Sequence, residues 1–106
     1  MIEVTAVHPA RDGGAFDMDY YMRTHIPMFR DRMGAAMKDI SVVRGLSVPT
    51  AGSRPPFVAM VRETFESVES FEAAFAPDAA EIQGDIPKYT DVEPVLQIGQ
   101  RLLSGL

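Results

Sequence analysis

Residues 16–33, FDMDYYMRTHIPMFRDRM, constrain the fold most, because they keep an amphipathic helical period through a histidine and a proline. At about 100° per residue, Met18, Tyr21, Met22, His25 and Phe29 share one arc, with Ile26 and Met33 at its edge. Asp19, Arg23, Thr24, Arg30 and Asp31 fall opposite. An apolar face of this kind must press against a surface built by the rest of the chain, and a sheet is the candidate. His25 then lies between helix and sheet, where an imidazole needs a polar partner or a ligand. Asp17 is placed to cap the helix, with Phe16 and Tyr21 as a hydrophobic staple. Pro27 has no N–H, so it frees the carbonyl of Arg23 and is expected to kink the helix.

The remaining pattern supplies the sheet. Residues 2–7 alternate, with Ile2, Val4 and Ala6 on one face and Glu3, Thr5 and Val7 on the other. His8-Pro9 closes that strand and leaves His8 facing solvent. Residues 38–48 form a second strand, residues 49–56 (PTAGSRPP) a loop, and the run FVAMV at 57–61 a central strand continued by Arg62, Glu63 and Thr64. Ser67 caps a second helix with Val68, Phe71, Ala74 and Phe75 inward; Pro77 breaks it, residues 78–83 restart it, and Gly84 stops it. Residues 92–103 close the chain as a strand. The order β-α-β-β-α-β predicts one α+β domain over residues 1–106, a ferredoxin-like four-stranded antiparallel sheet with both helices on one face. The other face would expose Val7, Val43 and part of FVAMV, so the reading predicts an obligate homodimer joined sheet to sheet.

Composition narrows the function. The net charge is −5 with no basic stripe, which argues against nucleic acid. No apolar run approaches the roughly 20 residues of a membrane span, and the start MIEVTAV lacks the charged region of a signal peptide. The absence of cysteine removes disulfides, thiolate nucleophiles and Cys-ligated zinc. Two histidines far apart do not make a metal site. The expectation is a cytoplasmic protein without metal or cofactor. No Ser-His-Asp ordering, phosphate loop or dinucleotide fingerprint is present.

Three segments, FDMDYYMRTHIPM at 16–28, FESVESFEAAFAPDAAEI at 65–82 and DIPKYTDVEPVLQI at 85–98, together resemble the EthD family, named for ethyl tert-butyl ether degradation. The resemblance implies a dimeric α+β barrel with a cleft between sheet and helices in each subunit. Related barrels include cofactor-free monooxygenases, polyketide cyclases, muconolactone isomerases and decarboxylases, so it fixes the fold more than the reaction. His25 matches the histidine of the family's YYxxxHxP pattern. It reads as a general base or acid, or as a core histidine bonded to a backbone carbonyl. Tyr89 reads as a catalytic phenol orienting a substrate oxygen, or as a loop anchor. Met18, Tyr21, Met22 and Phe29 read as substrate-binding or as plain core, and Gln97 as a donor in the cleft or across the barrel. Arg44 and Arg62 read as barrel salt links to Glu63 or Glu93, or if unpaired as cations attracting an anionic substrate, Asp85 and Asp91 as turn and capping residues, and Tyr20 as exposed. The function implied is binding of a hydrophobic oxygenated small molecule, with cofactor-independent proton transfer of the isomerase, cyclase, decarboxylase or monooxygenase type. The pathway would be degradative or secondary-metabolic. The alternative is a non-catalytic auxiliary protein for a partner oxygenase.

Overall fold

The computed structural model describes all 106 residues, Met1–Leu106. Strands β1 (Ile2–Pro9), β2 (Asp39–Arg44), β3 (Phe57–Phe65) and β4 (Val95–Gln100) form one antiparallel sheet in the order β2-β3-β1-β4. Helices pack on one side only: α1 (Met18–Tyr20), α2 (Ile26–Met33), α3 (Val68–Phe75) and α4 (Ala79–Asp85). This is the ferredoxin-like α+β fold, and its thin dimension of 19 Å is that of one sheet and one helix layer.

The register sorts the sheet into rows. Facing the helices are the row Arg44–Ala59–His8, then Val42–Val61–Ala6–Leu96, then Ile40–Glu63–Val4–Ile98. On the open face, Val43, Met60, Val7 and Val95 make one apolar row across all four strands, and Ser41, Arg62, Thr5 and Gln97 make the polar row beside it. Arg62 and Glu63 therefore point to opposite faces and cannot pair. Val43 and Val95 stay more than half exposed.

Several local expectations need correction. The inward alternation of β1 continues through Val4 and Ala6 to His8, which is buried rather than solvent-facing. Pro9 ends the strand one residue later, where a missing ladder donor is harmless. β2 ends at Arg44 rather than at 48, because Gly45 turns in against β3. Its N–H donates to the Val58 carbonyl at 2.9 Å, and a Cβ there would lie 2.1 Å from the Phe57 carbonyl oxygen. The last strand is confined to Val95–Gln100. Gly84 does not stop the second helical arm, which runs through Asp85 into a tight turn at Ile86–Lys88.

The first helical arm holds the main irregularity. Between α1 and α2, Tyr21–His25 form a π turn, with the Ile26 N–H bonded back to the Tyr21 carbonyl. The wider turn interrupts the helix, so Pro27 falls in the first turn of α2, where its absent N–H is tolerated. A wheel drawn at constant angle loses phase here. Met22 is exposed, and Ile26 and Met33, placed at the edge of the arc, are buried.

Two clusters fill the layer between helices and sheet. Val4, Phe29, Met33, Phe65, Phe71 and Ile82 form an apolar cluster at one end. Tyr21, Ile26, Ala59 and Tyr89 form a smaller one toward the π turn.

Candidate functional site

A cleft of about 540 Å³ opens between the helices and the sheet, within the range that takes a small organic ligand. Its floor is β1 and β3, through Ala6, His8, Val61 and Glu63, and its walls come from the π turn, α2, the second helical arm and residues 86–94. No lysine or arginine lines it.

The π turn aims Tyr21 and His25 into this space, their rings stacked with centroids 5.8 Å apart and 15° between planes. Asp85, at the end of α4, lies 2.9 Å from His25 Nδ1 through Oδ2. The Tyr20 hydroxyl donates to the other carboxylate oxygen at 2.7 Å, so Asp85 is fixed from two sides. Burial pulls the Asp85 carboxyl up, and the hydrogen bonds from His25 and Tyr20 outweigh it, leaving the group below its ordinary range. A carboxylate at Nδ1 favours the tautomer with a proton on that nitrogen, and no protein group engages Nε2.

Tyr89 closes the aromatic wall, its ring centroid 4.8 Å from that of His25 and 4.9 Å from that of Tyr21. Its loop is tied down. The Asp17 N–H donates to the Tyr89 carbonyl at 2.7 Å, and Thr90 Oγ1 donates to the Ala15 carbonyl at 2.8 Å. Asp91 accepts from the Ala15 N–H and pairs with Arg11. His8 and Phe16 stand edge-on to both Tyr21 and Tyr89. Burial raises the Tyr21 phenol, with help from Glu63, and raises that of Tyr89, with help from Tyr21 and Asp85. Both are hydrogen-bond donors at neutral pH.

The structure thus brings together His25, Tyr21, Tyr89 and Phe29 of the residues singled out in the sequence. Three others lie elsewhere. Met18 packs beside the Tyr21 cluster and lines a groove on the far side, near Arg44 and Phe57. Met22 faces solvent because of the π turn. Gln97 lies on the open face of β4 opposite Thr5, which excludes it from the cleft. Four residues gain a place: Asp85, the half-buried Tyr20, His8 and Glu63. His8 was detectable as the next inward position of an alternating strand. Asp85 and Tyr20 were not, since their pairing spans 65 residues of sequence.

A ferredoxin-like domain with a ligand-sized cleft and a carboxylate-oriented histidine defines the class. The sequence matches the EthD domain over residues 14–93, and the chain belongs to the EthD family. It is similar to an EthD-like protein from Ralstonia eutropha JMP134, at 40% identity over 98% of this chain and 94% of that one, with a TM-score of 0.92. An ethyl tert-butyl ether degradation (EthD) family protein from Bacillus halodurans C-125 superposes with a TM-score of 0.70 at 21% identity, over 96% of this chain and 99% of that one. A DABB family protein with a ferredoxin-like fold from Mesorhizobium loti MAFF303099 gives 0.62 at 10% identity, over 95% and 96%. The last two share the fold alone. No curated protein matches the chain.

Proposed function

We propose that the cleft binds an uncharged, largely apolar small molecule bearing a carbonyl or phenolic oxygen, and that His25 moves a proton on it without a cofactor. The observation that carries this reading is the His25–Asp85 contact of 2.9 Å, with Tyr20 holding the carboxylate and Nε2 left unengaged on a ring that lines the cleft. A carboxylate behind an imidazole fixes its tautomer and stabilises the imidazolium that forms when Nε2 accepts a proton. Tyr89 and Tyr21 are the donors in reach of a substrate oxygen. The lack of lysine or arginine on the walls disfavours an anionic ligand.

The test is hydrogen–deuterium exchange at the acidic carbon of a bicyclic ketone, 2-tetralone, in D2O. Exchange faster than in buffer, and lost in His25→Gln, is the expected result. Binding of the ketone with no acceleration would instead make the protein a carrier or an auxiliary to a partner oxygenase.

The same reading includes a homodimer through the open sheet face. The apolar row Val43–Met60–Val7–Val95 supports it, because a monomer would leave that row wet. Native mass spectrometry of the wild type should give a dimer, and Met60→Glu a monomer. A monomeric wild type would refute the barrel.

A further inference from the structure

We propose that Glu63 forms a second oxygen-holding pole of the cleft, so that the ligand carries an oxygen at each end of an apolar ring system. This rests on the cleft reading above and specifies the class of molecule it takes.

Glu63 sits in the row Ile40–Glu63–Val4–Ile98, the one acid among apolar neighbours on the helix-facing side of the sheet. It is 6% exposed, Tyr21 is 1% exposed, and both line the cleft. Glu63 Oε2 and the Tyr21 hydroxyl are buried without a hydrogen-bond partner. Such groups cost about 1–3 kcal/mol each when left unsatisfied, so an orphaned acid on the cleft floor indicates a molecule that satisfies it.

The pole is separate from the His25 end. Glu63 lies two rows from His8, roughly 13 Å along the strands at about 3.3 Å per residue. His8, Tyr89 and the His25–Asp85 pair occupy the other end. A ligand touching both poles must be longer than one ring, and about 540 Å³ accommodates two.

The chemistry of the pole selects an uncharged oxygen. Burial pushes the Glu63 carboxyl up to about 8, partly opposed by its own backbone N–H, so at neutral pH it is mainly a neutral acid with an O–H to donate. An acid kept neutral by an apolar site serves as a donor to a carbonyl, ether or hydroxyl oxygen.

The experiment compares two ligands by intrinsic fluorescence or calorimetry: 2-tetralone, with one oxygen, and 6-hydroxy-2-tetralone, with one at each end. The wild type should bind the hydroxylated ketone about tenfold more tightly, the scale of one well-made buried hydrogen bond. In Glu63→Leu the ratio of the two dissociation constants should fall to near one, and Glu63→Gln, which keeps a donor, should retain most of it. Glu63→Met, close in shape to the acid but without its oxygens, should lower the ratio in the same way, which keeps the test open if Glu63→Leu does not fold; Tyr21→Phe, at the His25 end, should leave the ratio in place. His25→Gln should leave the ratio in place. Equal affinities in the wild type, or a ratio that survives both Glu63→Leu and Glu63→Met, overturn this proposal alone. Binding of neither ketone overturns it together with the cleft reading.

Discussion

The two ends of the helix–sheet layer are built from the same elements on opposite principles. At one end Val4, Phe29, Met33, Phe65, Phe71 and Ile82 close an apolar cluster whose one buried polar neighbour in the row of Val4 is Glu63, and Phe71 stands edge-on to Phe65. At the other, Tyr21, His25, Tyr89 and His8 pack ring against ring around a cleft, with buried polar atoms lacking partners. The first end has the composition that maximises burial. The second forgoes some stability by leaving buried polar atoms unpaired, the cost expected if the cleft binds a ligand as proposed.

The largest break in that comparison comes from truncating one ring at each end. Phe65 is fully buried, and Phe65→Ala should cost about 3–5 kcal/mol in urea unfolding, through lost transfer energy and a cavity. Tyr89→Phe keeps the ring and should change stability by under about 1 kcal/mol, while weakening 2-tetralone binding. If the two substitutions destabilised equally, the contrast between the ends would not hold.

Next in size is the His25–Asp85 pair. Asp85→Asn keeps the shape and removes the charge behind the imidazole. Ketone exchange should fall by roughly 10²-fold or more, with the fold unchanged by circular dichroism. Tyr20→Phe leaves Asp85 in place but frees it from one side, and the loss should be several-fold. A null result for Asp85→Asn would reduce the pair to a structural contact.

The unpartnered groups predict a pH dependence of stability. Glu63 titrates near 8 in the fold against an ordinary 4.5, so between those values the folded state binds more protons than the unfolded one and stability falls as pH rises. His8 is lowered from 6.5 to about 4 by burial and by His25, so between 4 and 6.5 the unfolded state binds more and stability rises with pH. The opposed slopes, each about 1.4 kcal/mol per pH unit, cancel between 4.5 and 6.5. Above 6.5 only Glu63 acts, and the wild type should lose roughly 2 kcal/mol by pH 8. Glu63→Gln should abolish that loss and uncover the rise below 6.5, as read by Tm across the range. A wild-type Tm that did not fall between pH 6.5 and 8 would mean Glu63 ionises normally.

The contrast between the ends also explains what the sequence disclosed. The apolar end and the strand order were legible because alternation and helical period are local signals, so the ferredoxin-like fold followed from residues 2–7, 57–61 and the two amphipathic stretches. At the polar end, His25, Tyr21 and Tyr89 were legible because they fall on the helical arc or within the family pattern. The constant-angle wheel misplaced Met22, since no periodicity announces a π turn. Gln97 stayed open between the cleft and the barrel face because its apolar neighbours do not say which side of β4 the helices cover; the register puts it on the open face. His8 continues the inward alternation of β1, but a polar residue before a proline reads as the solvent-facing end of a strand; Glu63 fell within its strand, and the continuous apolar run FVAMV does not say which face it takes. Asp85 and Tyr20 depend on a tertiary contact between two helical arms, which no local pattern encodes.

The smallest predicted effects concern the loop that holds Tyr89, and they separate two ways of tethering it. Thr90 is buried, and its hydroxyl donates to the Ala15 carbonyl while accepting from the Val92 N–H at 3.2 Å. Thr90→Val keeps the volume and leaves both backbone groups unsatisfied, so it should cost about 1–2 kcal/mol and weaken ketone binding through a looser Tyr89. Arg11 and Asp91 pair at 2.8 Å, but both side chains are about half exposed, and such pairs contribute about 0–1 kcal/mol. Asp91 still accepts from the Ala15 N–H without Arg11. Arg11→Ala should therefore leave both Tm and ketone affinity within error, at any salt concentration. A clear loss of affinity in Arg11→Ala would show that the surface ion pair, rather than the buried hydroxyl, positions the aromatic wall.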